Sequence, residues 1–175
     1  MDVKPVGSMI GAEVEGVDLS GDLGAERIKA IKRTLDKHHV IFFRNQKISE
    51  IRHIEFSKNF GPLEVHVGTR YLHPIHPELR INSNIIENGR PIGATDAGQY
   101  WHTDLSYMTE PSKCSLLYSL EVPEKDGKVY GDTCFTSSVA AYETLPEDIK
   151  TKIEGRNAVH SYTFRYYKLT DAGKK

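Results

Sequence analysis

The chain has 175 residues, of which 38% are apolar and 27% charged, with a formal net charge of -1. That length suits a single domain, residues 1–175, able to bury roughly two-thirds of its unfolded surface, and the composition is that of a folded chain, not a disordered one. The balanced charge gives no general pull toward nucleic acid or anionic membrane. The opening MDVKPVGSMIG lacks the apolar core of a signal peptide, and the run Val40-Ile41-Phe42-Phe43 is far too short to span a bilayer.

Ile10 to Leu19 alternates apolar with polar or small residues, which predicts a short strand pair. A helix is expected from about Gly24 to Lys37, where Ile28, Ile31 and Leu35 recur at helical spacing. Val40 to Phe43 reads as a short buried strand. Ser49 is placed to cap a second helix carrying Ile51, Ile54 and Phe60, which Gly61-Pro62 stops. Leu63 to Val67 reads as extended. Tyr71 to Pro77 holds two His-Pro steps, which favour extended or turn backbone.

Leu79 to Glu87 is a predicted strand, followed by a hairpin turn at Asn88-Gly89. A glycine-rich loop, Pro91 to Gly98, leads into Trp101-His102-Thr103-Asp104. Lys113 to Leu120 reads as an apolar strand. Asp126-Gly127 marks a turn before a strand at Thr133 to Phe135. Ser138 is a candidate cap for a helix through Leu145. Pro146 suits the first turn of another helix, and Gly155 its end. Asp171 to Lys175 reads as a polar tail. Two N-terminal helices followed by short strands exclude a doubly wound parallel sheet. The fold class expected is mainly β with flanking helices (α+β), a sandwich or barrel core with helices outside.

The chemistry concentrates at Tyr100-Trp101-His102-Thr103-Asp104. In a strand, the period of two puts His102 and Asp104 on one face. An imidazole nitrogen and a carboxylate oxygen then reach one ion. A second histidine from elsewhere would complete a 2-His-1-carboxylate set, which leaves open positions on Fe(II) for oxygen chemistry. The chain has eight histidines. His38 and His39 end a helix, where a cation meets the helix dipole favourably. His53 is expected on a solvent-facing helix surface, and His73 and His76 as solvated turn residues. Trp101 is expected to pack beside the metal strand. Cys114 and Cys134 have no zinc-ribbon spacing, so a reducing, cytoplasmic setting is the default.

Several blocks together resemble the taurine dioxygenase and 2,4-dichlorophenoxyacetate dioxygenase family of Fe(II)- and 2-oxoglutarate-dependent oxygenases. They are Ile10 to Leu19, His39 to Gln46, Phe60-Gly61-Pro62-Leu63, Trp101 to Asp104, Gly131-Asp132-Thr133, Ala140-Ala141-Tyr142-Glu143 and Gly155 to Tyr162, in the family's order. The resemblance covers nearly the whole chain. It implies a double-stranded β-helix (jelly-roll) core with the metal at its open mouth. It implies that His102 and Asp104 are iron ligands, that Thr133 helps hold a 2-oxoglutarate carboxylate, and that His66 lines the substrate pocket. Fe(II), 2-oxoglutarate and O2 are the implied cofactor and cosubstrates, and the partner is a small organic molecule. Neither nucleic acid nor membrane is expected, and homo-oligomerisation is left open.

The resemblance also has departures. The family's second histidine ligand, and an arginine for the distal carboxylate of 2-oxoglutarate, belong to a region beyond this sequence. The chain therefore reads as C-terminally short, with an incomplete jelly roll, and the 175 residues alone are expected to be incompetent. His160 follows Asp104 in the right order but lies in a block that precedes the missing ligand. Arg165 is likewise a poor stand-in for the arginine. Gly98 and Thr69 stand where the taurine enzyme has an amide and a tyrosine, so taurine itself is not the expected substrate. Lys125 to Tyr130 reads as a small insertion. Three readings follow. The first is an oxygenase acting on a taurine-like sulfonate or an aryloxy or carboxylated compound, with release of succinate and CO2. The second is an inactive family member serving as a binding or interaction module. The third is a zinc hydrolase, which lacks an HExxH helix.

Overall fold

A computed structural model describes residues 1–95, 98 and 100–162. The chain divides into two compact units. One comprises Met1–Leu63 with Leu116–Glu147, the other Glu64–Ser115 with the segment from Asp148 on.

The first unit holds the core. Strand β1 (Asp2–Pro5) pairs antiparallel with β2 (Ala12–Glu15), in register Val3 to Val14, and β2 pairs in parallel with β3 (Ile41–Phe42). The sequence pattern places β2 and β3 but not β1: the segment Ile10 to Leu19, expected as a strand pair, supplies β2 alone, and the partner is the preceding segment. A strand capped by Pro5 at the sheet edge carries little local signal, and its partner lies ten residues away. Helix α1 (Gly24–His38) returns the chain from β2 to β3. It ends at His39, whose φ is 62° and whose N–H donates to the Leu35 carbonyl at 2.7 Å.

Ser49 does cap α2 (Glu50–Lys58), its hydroxyl accepting from the Arg52 N–H at 3.3 Å. Phe60 falls just past the helix end. It still packs edge-on against Phe56, centroids 5.5 Å apart, and Phe56 meets Phe43 at 6.1 Å. Such contacts between aromatic rings favour the edge-to-face arrangement. Around them, Val14, Val17, Leu19 and Ile31 are buried, Ile31 completely.

Gln46 ties this core to its connections. Its carboxamide accepts from the Leu19 N–H at 2.8 Å and donates to the Val17 carbonyl at 3.0 Å. Its own carbonyl accepts from the Tyr118 hydroxyl at 3.2 Å. His53 is not the solvent-facing residue expected. It is half-buried with its ring 6.0 Å from that of Tyr118, and burial lowers its pKa below the ordinary imidazole value, against a smaller opposing effect of its bond to the Leu116 backbone.

Two hairpins match the turn chemistry. β4 (Ile86–Glu87) and β5 (Arg90–Pro91) join through Asn88-Gly89, with φ of 49° and 75°. β6 (Glu124–Lys125) and β7 (Lys128–Val129) join through Asp126-Gly127, at 53° and 73°. Positive φ at both central residues is what a two-residue hairpin needs. The second hairpin is the segment read as an insertion. Helix α3 (Ser138–Glu143) is capped by Ser137, one residue before the expected Ser138, and α4 (Glu147–Ile153) follows Pro146.

The predicted strands at 79–87, 113–120 and 133–135 are largely absent as ladders. The first is reduced to β4 and to bridges at Arg80 and Asn82. The second keeps strand-like alternation without a ladder: Ser112, Cys114, Leu116 and Tyr118 are half-buried while their neighbours are exposed. An extended segment becomes a strand only when another segment accepts its backbone bonds. The mixture of strands and helices agrees with the expected class. Its described strands form one three-stranded sheet and two hairpins.

Candidate metal centre

His102 and Asp104 lie in the second unit, in irregular chain that turns at Asp104, not in the expected strand. The two side chains nevertheless meet: His102 Nε2 is 3.3 Å from Asp104 Oδ1. What holds them is a set of individual hydrogen bonds.

The Tyr100 carbonyl lies 2.8 Å from His102 Nδ1. A carbonyl only accepts, so Nδ1 carries the proton and a neutral ring leaves Nε2 bare. That is the tautomer in which a histidine binds a metal through Nε2, its other nitrogen oriented by a backbone carbonyl. On the other side, the Ser115 hydroxyl donates to Asp104 Oδ2 at 2.6 Å, which leaves Oδ1 facing His102. Lone pairs of Nε2 and Oδ1 then face one another, an arrangement favourable only with a proton or a cation between them. Two adjacent ligands at about 2.1 Å from an octahedral ion stand about 3 Å apart. The donor set, one imidazole nitrogen and one carboxylate oxygen, therefore fits a divalent metal of the iron type.

The pair is open, with side-chain exposures of 41% for His102 and 56% for Asp104. Trp101 is 67% exposed, so it does not pack there as expected; without a strand ladder nothing fixes its ring to one face. Leu105, with φ of 50°, shapes the turn after Asp104. Ser106 in that turn shares a hydrogen bond of 2.9 Å with His160 Nδ1. Among the described residues no cluster of three His, Cys, Asp or Glu side chains gathers to hold a metal. Arg165 lies outside the described residues.

His73 shows the contrast. Its Nδ1 accepts from the backbone N–H groups of Ile75 and His76 at 3.4 and 3.1 Å. The neutral ring thus carries its proton on Nε2, the opposite tautomer from His102. Its ring stacks on His76 with centroids 5.4 Å apart. Both are half-buried, more enclosed than the solvated turn residues expected.

His66 sits in the same unit, half-buried, with Nε2 3.2 Å from Arg80 Nη1 and Nδ1 2.9 Å from the Gly68 N–H. Thr133 belongs to the first unit, where it is exposed in irregular chain between β7 and α3. Neither Ser115 nor Arg80 is marked by sequence spacing. Ser115 follows Asp104 by eleven residues, and only its place in an alternating segment distinguishes it.

A histidine of fixed tautomer and an oriented carboxylate thus stand side by side in irregular chain, on a fold of mixed strands and helices. The family model described as taurine catabolism dioxygenase TauD, TfdA family matches residues 2–175. The chain belongs to that family. It is 34% identical over 167 residues to the alpha-ketoglutarate-dependent 2,4-dichlorophenoxyacetate dioxygenase of Cupriavidus pinatubonensis, covering 90% of this chain and 57% of that one. It is 36% identical over 170 residues to the pentalenolactone F synthase of Streptomyces avermitilis, covering 95% and 55%. An alpha-ketoglutarate-dependent sulfate ester dioxygenase of Pseudomonas putida matches at 33%, covering 97% and 52%. A solved structure of a candidate alpha-ketoglutarate dependent 2,4-D dioxygenase from Burkholderia xenovorans superposes with a TM-score of 0.59 at 26% identity, covering 88% of this chain and 50% of that one. The chain spans about half the length of the curated relatives it matches.

Proposed function

We propose that the protein is an Fe(II)- and 2-oxoglutarate-dependent dioxygenase that oxidises a small organic substrate. The observation that carries this is the His102–Asp104 pair, each member held by its outer atom so that Nε2 and Oδ1 face one point. Relatives named for 2,4-dichlorophenoxyacetate, sulfate esters and pentalenolactone F bound the substrate class: a compact molecule bearing a carboxylate, sulfonate or sulfate group. In this reading His102 and Asp104 hold the iron, and the Thr133 hydroxyl donates to a 2-oxoglutarate carboxylate, a short bond to a charged oxygen. His66, with Arg80 beside it, faces the anionic end of the substrate. Bound iron with 2-oxoglutarate supplies the oxidising power, with O2 consumed and succinate and CO2 released. The protein's own part is to orient: it fixes the imidazole tautomer, turns the carboxylate, and presents one C–H bond to the metal.

A jelly-roll core around the site, organised as one domain, belongs to the same reading, and the period-two burial of residues 111–118 supports it. A cytoplasmic setting belongs to the same reading. Among the described residues no helix is long and apolar enough to cross a membrane.

The test is succinate formation with Fe(II), ascorbate, 2-oxoglutarate and a panel of sulfonates, alkyl sulfate esters and aryloxy acids. In a version extended to the full length of the relatives, substrate-dependent succinate is expected, and His102→Ala or Asp104→Ala should abolish it. Retained turnover in either variant rejects the assignment. Binding of metal and 2-oxoglutarate without succinate for any compound supports a binding module instead.

A further inference from the structure

The carboxylate of Asp104 sits at the start of a turn, and its side chain is 56% exposed. No strand ladder fixes the backbone there. Rotation about its last side-chain bond would exchange two equivalent oxygens freely. One bond prevents this: the Ser115 hydroxyl donates to Oδ2 at 2.6 Å, the short distance of a hydrogen bond to a charged acceptor. Ser115 comes from the extended segment eleven residues further on, so the bond also ties the turn to that segment. The other oxygen, Oδ1, is the one 3.3 Å from His102 Nε2.

We propose that Ser115 is a positioning residue of the metal centre. By holding Oδ2 it dedicates Oδ1 to the metal and keeps the carboxylate from turning away. The inference rests on the reading that His102 and Asp104 hold a metal. Ser115 itself contacts neither metal nor substrate. It acts through Asp104 alone, as the Tyr100 carbonyl acts through His102. The two outer bonds have different consequences. Loss of the carbonyl contact would change which imidazole nitrogen is bare. Loss of the serine hydroxyl would leave the imidazole as it is and loosen only the carboxylate.

The experiment is titration of the protein with Mn(II), read from the electron paramagnetic resonance of the free ion, for the native chain, Ser115→Ala, Ser115→Thr and Asp104→Ala. Thermal unfolding and the 15N shifts of the His102 ring are recorded alongside. Removing a partner of a metal-binding carboxylate weakens binding by roughly 10–100-fold, and that loss is expected for Ser115→Ala. Ser115→Thr keeps the hydroxyl and should recover most of the affinity. The His102 ring shifts of metal-free Ser115→Ala should match the native ones. Native affinity in Ser115→Ala overturns the inference while leaving the metal reading intact. Equal loss in Ser115→Ala and Ser115→Thr also overturns it, because the hydroxyl is then not the agent. If Ser115→Ala unfolds, Ser115→Thr decides: a folded variant with native affinity supports the role, and a folded one without it contradicts it. Native Mn(II) affinity in Asp104→Ala removes the metal reading itself, and this inference with it.

Discussion

The two units of the molecule are built in different ways. In the first, strands β1 to β3, helices α1 and α2 and a cluster of buried apolar side chains hold one another. Among the described residues, all the buried ones but Gly93 and Ala94 belong to it. In the second, only Gly93 and Ala94 are buried among the described residues, and the chemistry stands on irregular chain. There geometry comes from single bonds: Tyr100 to His102, Ser115 to Asp104, Ser106 to His160. A packed core spreads its stability over many contacts, so one truncation is felt as a graded loss. A site pinned by individual hydrogen bonds loses its geometry when one is removed, and its stability hardly changes.

The largest effect on stability should follow from Ile31→Ala. It empties a fully buried site, and cavity formation of this kind costs about 2–5 kcal/mol. Denaturant unfolding should show that loss, while at temperatures where the variant is folded the His102 tautomer stays native. A core truncation that also changed the His102 ring shifts would break the distinction between the two regions.

Gln46→Leu should cost less, about 1–3 kcal/mol, because it leaves the Leu19 N–H and Val17 carbonyl without their partners. Unchanged stability would mean that water replaces the carboxamide at no cost.

The smallest effect concerns pH. Burial lowers the His53 pKa in the folded state, so the unfolded chain binds the proton more readily. Stability should then rise with pH, being lost as the pH falls from about 6.5, the unfolded value, through the lowered folded value. His53→Phe keeps a ring against Tyr118 and should flatten this slope. A slope that persists in the variant assigns it to another group.

What sequence reveals follows the same division. Helices α1 and α2 and both hairpin turns are legible because their signals are local: Ile28, Ile31 and Leu35 on one face, Ser49 as a cap, Asn88-Gly89 and Asp126-Gly127 at positive φ. β1 is not, because four mostly exposed residues ending in Pro5 carry little strand signal. The segment 111–118 is half legible: its alternation survives in burial, while the ladder depends on a neighbour no local pattern can supply. At the site, residue types and order identify His102 and Asp104. The bonds that prepare them come from a backbone carbonyl and from a serine eleven residues away, and neither leaves a pattern in the sequence. The burial of His53 has no local signal, because the ring it packs against, that of Tyr118, lies sixty-five residues on.

The central claim is that His102 and Asp104 form a half-site prepared for a divalent metal before any metal arrives. A long-range 1H–15N spectrum of the histidine rings, recorded without metal and then with rising Mn(II), tests it directly. The predicted result is a His102 ring that carries a proton on Nδ1 without metal and whose signals broaden at lower Mn(II) than those of His73 or His76. A His102 ring without a proton on Nδ1, or one that broadens no earlier than the other histidines, would contradict the claim.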